Sequence, residues 1–171
     1  MKILIVVDMQ NDFITGPLGT DEAKVALANT VTRLQNVTDE LVLVTYDTHG
    51  DDYLDTPEGK KLPVVHCIKD TQGWQLAPEI AGVLKEYRTF EKPVFGSTDL
   101  VDFLLANQED ITEIELLGVC TDICVVSNAI MIKNAMPNIP IYVNEKCSAG
   151  VTAETHDQAI NVMKMCQIDI I

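Results

Sequence analysis

Two short runs decide the fold class. KILIVVD (2–8) and LVLVTYD (41–47) are almost continuously apolar, and each ends in an aspartate. A strand with one face in water alternates apolar and polar residues. A run that is apolar throughout is buried on both faces, as in a parallel sheet covered by helices. Between the two runs, DEAKVALANTVTRLQNV (21–37) has helical periodicity, and its acidic first turn complements the helix dipole. The alternation continues to the end of the chain. APEIAGVLKEY (77–87) reads as a short helix, RTFEKPVFG (88–96) as an extended segment and loop, and STDLVDFLLANQ (97–108) as a helix with a Ser N-cap. ITEIELLGV (111–119) and IPIYVNE (139–145) read as strands, flanking a helix in TDICVVSNAIMIKNAM (121–136). TAETHDQAINVMKMC (152–166) is a further helix, and QIDII (167–171) closes as a strand. Strands alternating with helices predict an α/β fold with a parallel sheet.

A chain of 171 residues, 47% of them hydrophobic, suffices for one domain with a substantial core, expected over 1–171. The net charge of −14 argues against nucleic acid or an anionic membrane as the main partner, since either needs a basic footprint. The apolar run before Asp8 is only five residues, too few for a secretory signal, and five cysteines form no paired framework. Both points lead us to expect a cytoplasmic protein.

In open parallel sheets, sites form beyond the carboxyl ends of the strands. Four features of this chain fall there. Asp8 ends the first strand, where a phosphate-binding fold would carry glycines. Without a G-x-G-x-x-G or a P-loop lysine, an acid here favours proton chemistry over nucleotide binding, although a lone Asp also serves as a loop or capping carboxylate. Asp47 and His49 end the second strand, and His66 follows in the same long irregular segment (48–75). Two imidazoles and a carboxylate suit Zn²⁺, Fe²⁺ or Mn²⁺, and equally occur as ordinary surface groups. His156 falls on a helix face and is expected to be solvated. Lys92, before Pro93, reads by itself as a surface lysine. Cys124 stands in the first turn of a helix, where free N–H groups and the dipole lower a thiol's pKa; a buried cysteine acting as a small hydrophobe fits the same position. Cys120, four residues earlier, has no second pair with which to complete a zinc site. Cys67, Cys147 and Cys166 read as core or strand-end residues.

The set taken together resembles the isochorismatase-like cysteine hydrolase superfamily, and within it the nicotinamidase/pyrazinamidase group. VVDMQNDF (6–13) is similar to the first-strand signature, YDTHGDDY…LPVVHCIKDTQG (46–73) to the metal-binding loop, EKPVFGS (91–97) to the lysine segment, and LLGVCTDICVVSNA (116–129) to the nucleophile turn. The resemblance implies a three-layer, doubly wound fold around a central parallel sheet. It implies a triad of Asp8, Lys92 and Cys124 with Cys124 as nucleophile, and a divalent metal, Zn or alternatively Fe or Mn, held by Asp47, His49 and His66 with Glu58 as a fourth ligand. It further implies a cis peptide at Val119–Cys120 and an oxyanion hole from the backbone N–H groups of Cys120 and Cys124. Phe13 matches a pocket aromatic. Pro63 stands where many nicotinamidases carry a tryptophan, and Trp74 is a second candidate for contact with substrate.

The implied activity is amide hydrolysis through a thioester, most simply nicotinamide to nicotinate and ammonia, by a homo-oligomer acting on a small molecule. Two alternatives are an amidohydrolase of N-carbamoyl or ureido compounds and a non-catalytic binding protein on the same fold. A thiol four residues from a reactive one also stands where it could capture an oxidised Cys124 as a disulfide.

Overall fold

Six parallel strands lie in the order β3-β2-β1-β4-β5-β6 in a computed structural model that describes residues 1–171. They are β1 (Lys2–Val7), β2 (Glu40–Asp47), β3 (Arg88–Lys92), β4 (Glu113–Val119), β5 (Ile141–Ala149) and β6 (Asp169–Ile170). The helices are α1 (Asn11–Ile14), α2 (Asp21–Gln35), α3 (Pro57–Lys61), α4 (Pro78–Ala81), α5 (Thr98–Ala106), α6 (Val126–Ala135) and α7 (Ala153–Met165). None is long and apolar enough to cross a membrane.

The expectation for β1 holds residue by residue. Ile3, Ile5 and Val7 enter one buried cluster with residues of α5, α6 and α7. Leu4 and Val6 enter a second cluster with residues of α1, α2 and α4. Successive side chains of a strand point to opposite faces, so a continuous apolar run serves two cores at once. The result is the three-layer, doubly wound arrangement.

Local signals place the helix starts. Thr20, Ser97 and Thr152 each accept a backbone N–H two or three residues into their helices. Elsewhere the structure departs from the sequence expectations. The helix expected over 77–87 is a single turn, Pro78–Ala81, ended by Gly82. The Gly- and Pro-punctuated stretch between β1 and α2, which the sequence marks as a loop, opens with one helical turn, Asn11–Ile14. The fifth strand runs on to Ala149, and the sixth is only two residues long. The helix expected from Thr121 opens with a π-helical turn, Thr121–Val125, in which the Val125 N–H reaches back five residues to Cys120 O at 3.0 Å.

The strand order reverses between β1 and β4: the chain builds outward to β2 and β3 on one side, then to β5 and β6 on the other. At this switch the backbones close tightly. Gly118 pairs with Val7 and has φ 124°, and a Cβ there would lie 2.1 Å from Val7 O. Only glycine fits both the conformation and the space. Gly118→Ala is therefore expected to cost at least about 2 kcal/mol of stability, read as a lowered urea midpoint at unchanged slope. A loss within about 0.5 kcal/mol, the range of an ordinary surface substitution, would contradict this account.

Candidate active site

Lys92 is the largest departure from what its residue type suggests. It is 1% exposed, at the last position of β3, directly beside Asp47 at the last position of β2. Its Nζ lies 2.6 Å from Asp8 Oδ2, 3.2 Å from Cys124 Sγ and 3.4 Å from Asp47 Oδ1. Burial works to lower the lysine's pKa, but the charges of Asp8, Cys124 and Asp47 outweigh it and hold Lys92 above its ordinary value. The ammonium thus joins the three residues expected to form the triad.

Asp8 is fully buried. It leaves the β1 strand in a left-handed conformation (φ 49°), which aspartate tolerates better than most residues. Thr45 on β2 donates to its Oδ1 at 2.6 Å. Oδ2 touches Lys92 but accepts no well-directed hydrogen bond. Burial raises the pKa of Asp8 above the usual carboxylate range, against the opposing effect of Lys92. A carboxylate with one oxygen anchored and the other undersatisfied is suited to taking up a proton.

The thiol itself corrects one expectation. The helix start was expected to lower the pKa of Cys124. Burial instead pushes it well above its ordinary value, Asp8 adds to the rise, and Lys92 opposes it. A thiol so placed needs a base to take its proton as the sulfur reacts. The peptide Val119–Cys120 is cis, as the resemblance implied. In the turn that follows, the N–H groups of Ile123 and Val125 both donate to Cys120 O. Burial pushes the Cys120 thiol up to about 12. Its side chain packs on the α2 side of the sheet, whereas Cys124 belongs to the cluster on the other side.

Asp47, His49 and His66 come together as a buried group whose donor atoms all lie within 4.8 Å of one another. Asp47 Oδ2 is 3.0 Å from His49 Nε2 and 3.3 Å from His66 Nε2. His66 Nδ1 lies 2.7 Å from Val64 O, which places a proton on Nδ1 and turns Nε2 toward Asp47. Burial works to raise the pKa of Asp47, but His49, His66 and Lys92 together hold it low. The donor set of two imidazoles and one carboxylate fits a divalent ion with open positions. Glu58, in the first turn of α3, reaches to 3.9 Å from His49 Nε2, and burial together with Asp47 raises its pKa. The long segment carrying these residues is tied down at its return: Cys67 N–H donates to Asp12 Oδ2 at 2.7 Å.

Several supports were not singled out from the sequence. Gln10, fully buried, accepts the Asp47 N–H at 2.8 Å and donates to Asp47 O at 2.9 Å and Trp74 O at 2.8 Å. Tyr53 packs on both His49 (4.7 Å) and His66 (4.9 Å) and donates to Leu62 O. Thr45 and Asn128 are polar residues at fully buried positions. A polar residue interrupting an apolar strand is a usable signal for Thr45; nothing local marks Gln10, Tyr53 or Asn128. Phe13 meets the His66 ring edge-on at 5.6 Å. Trp74 stacks on Tyr46 at 5.0 Å and donates to Thr48 Oγ1, so it braces the residue between Asp47 and His49. His156 is not solvated as expected. It is half-buried, with Nδ1 2.9 Å from Thr121 Oγ1 at the start of the cysteine turn. Cys67 and Cys147 are buried as expected, but Cys166 is exposed at the end of α7.

With this geometry established, the chain can be compared with known proteins. It is 28% identical to the nicotinamidase/pyrazinamidase of Mycobacterium tuberculosis, over 100% of this chain and 98% of that protein. The solved pyrazinamidase/nicotinamidase of Streptococcus mutans superposes with a TM-score of 0.85 at 26% identity, covering 100% of both chains. The pyrazinamidase of Pyrococcus horikoshii, solved in complex with zinc, superposes with a TM-score of 0.85 at 21% identity, over 99% of this chain and 98% of that one. A family model described as the Isochorismatase domain matches residues 2–171, and the chain belongs to that family.

Proposed function

We propose that the protein, working as one domain over 1–171, is a metal-containing amidohydrolase that converts nicotinamide and water to nicotinate and ammonia. One observation carries the reading: a buried ammonium, Lys92, in contact at once with a base (Asp8), a thiol (Cys124) and a carboxylate shared with two imidazoles (Asp47). The nicotinamidase relatives supply the substrate class.

Asp8 takes the proton of Cys124 as the sulfur attacks the amide carbon, and Lys92 stabilises the emerging thiolate. The C–S bond forms as the carbonyl π electrons move onto oxygen. The N–H groups of Cys120 and Cys124 receive that oxyanion, each donor contributing about 3 to 4 kcal/mol where such donors have been removed. Asp8 then passes its proton to the departing nitrogen, the C–N bond breaks, and ammonia leaves a thioester. Asp8, again a carboxylate, takes a proton from the water that attacks the thioester. Cys124 is regained and the acid released. Thr45 keeps Asp8 in one orientation through both halves. A divalent ion, zinc or alternatively iron or manganese, held by Asp47, His49 and His66 with Glu58 as fourth donor, would supply a Lewis-acid contact for a pyridine nitrogen or a water. Phe13, packed edge-on against the His66 ring, would be the apolar contact for an aromatic substrate, with Tyr53 buried behind the imidazoles.

The purified protein is expected to release ammonia from nicotinamide, and Cys124→Ala and Asp8→Asn to lower kcat/KM by about a thousandfold or more. Turnover by Cys124→Ala at the wild-type rate would end the thioester reading. If N-carbamoyl compounds but not nicotinamide released ammonia, the substrate assignment would fall while the chemistry stood.

His66→Ala is expected to lose bound metal, measured by elemental analysis of the purified protein, and to keep its fold by circular dichroism. Wild-type metal content in that variant would remove Asp47, His49 and His66 as the ligand set.

A further inference from the structure

Asn128 lies one turn beyond Cys124 on α6 and is fully buried. Its side-chain Oδ1 accepts the Ser97 N–H at 2.9 Å. Its Nδ2 donates to Cys124 O at 2.8 Å and to Phe95 O at 3.2 Å. Both ends of the amide are therefore engaged, and by backbone of two different segments. One is the nucleophile's own peptide; the other is the segment that follows Lys92. Asparagine is a poor helix former, and its amide is costly to bury unless satisfied, so its place inside α6 calls for a reason.

The neighbouring contacts show a seam. Cys124, Asn128 and Met131 stand at i, i+4 and i+7, the spacing that lines one helix face. Each meets a part of the segment 92–97. Lys92 Nζ approaches Cys124 Sγ at 3.2 Å, Asn128 holds Phe95 and Ser97, and Gly96 lies so near Met131 that a Cβ on it would meet Sδ at 2.3 Å. Lys92 is already fixed from the other side by Asp8 and Asp47. The freedom left in the Lys92–Cys124 approach is that of α6 against this segment, and Asn128 is the hydrogen-bonded tie across it.

We infer that Asn128 is a positioning residue for the reaction at Cys124, setting the distance between the nucleophile and the Lys92 ammonium. The inference rests on the proposed role of Cys124. Two variants separate the possibilities. Asn128→Ser keeps a hydroxyl that reaches only the Cys124 carbonyl one turn back. Asn128→Asp keeps the shape and the acceptor for Ser97 but turns an oxygen toward Cys124 O and Phe95 O. Both would be assayed for ammonia release from nicotinamide, per folded molecule and below the melting temperature of each, alongside Cys124→Ala. The expected result is a kcat lowered by about 10- to 100-fold, the scale of a small misplacement of reacting groups, with KM and metal content within about twofold of wild type. A role in stability alone would lower the melting temperature and leave kcat per folded molecule unchanged. A kcat within twofold in whichever variant folds would overturn the inference, as would loss of folding in both. If Cys124→Ala remains active, the nucleophile assignment itself has failed. If it is inactive while the Asn128 variants run at the wild-type rate, only the positioning role is lost.

Discussion

The ion pair between Lys92 and Asp8 is the constraint around which the rest of the site is arranged. Taking an ammonium out of water costs several kcal/mol even after relaxation, and only close, well-placed anions offset it. Here the compensation comes from Asp8 at 2.6 Å, with Asp47 behind it. The arrangement binds its members to one another. Removing Asp8 would take from the buried ammonium its nearest counter-charge, a loss typically of about 3 to 5 kcal/mol. The pair also sets the chemistry, because the ammonium that Asp8 holds also touches the Cys124 sulfur, bringing a carboxylate base and a thiol to one buried point.

The parallel sheet is what brings these groups within reach. Residues at the carboxyl ends of β3, β2, β1 and β4, four adjacent strands, supply Lys92, Asp47, Asp8 and the cysteine turn in that spatial order. Asp47 and Lys92 are direct neighbours across the β2–β3 pairing, so the metal-binding group and the triad share a rung of the sheet. Tight closure at Gly118 lets β4 approach β1 closely enough for the cysteine turn to stand over Asp8.

Much of this was legible in the sequence because the signals are local. Continuous apolar runs marked β1 and β2, and the polar residues ending them marked the rim. The isolated turn of α4 and the extra length of β5 were not legible. Gly82 stops a periodicity that otherwise continues, and Ser148 and Ala149 pair with β4 only after a shift in register. The identity of Lys92 as a buried group was hidden for a related reason. Its surroundings come from residues 8, 47 and 124, and no window of sequence contains them together. The raised pKa of Cys124 had the same origin: a helix start is visible in sequence, but depth of burial is not. His156 shows the converse, since a polar residue on a helix read as solvated found its partner in Thr121 on a distant turn.

Gln10 shows how the two halves of the site are kept in step. Its side chain offers Asp47 both an acceptor and a donor, which is what a neighbouring peptide group would have offered. It acts as a surrogate peptide, continuing the ladder for one more rung after β1 has turned away at Asp8. The place where backbone pairing stops and side-chain chemistry begins is therefore set by an amide that belongs to neither strand. Because that amide is fixed within the core, the long segment carrying His49, Glu58 and His66 can differ in length or sequence among relatives without shifting the carboxylate on which both halves depend.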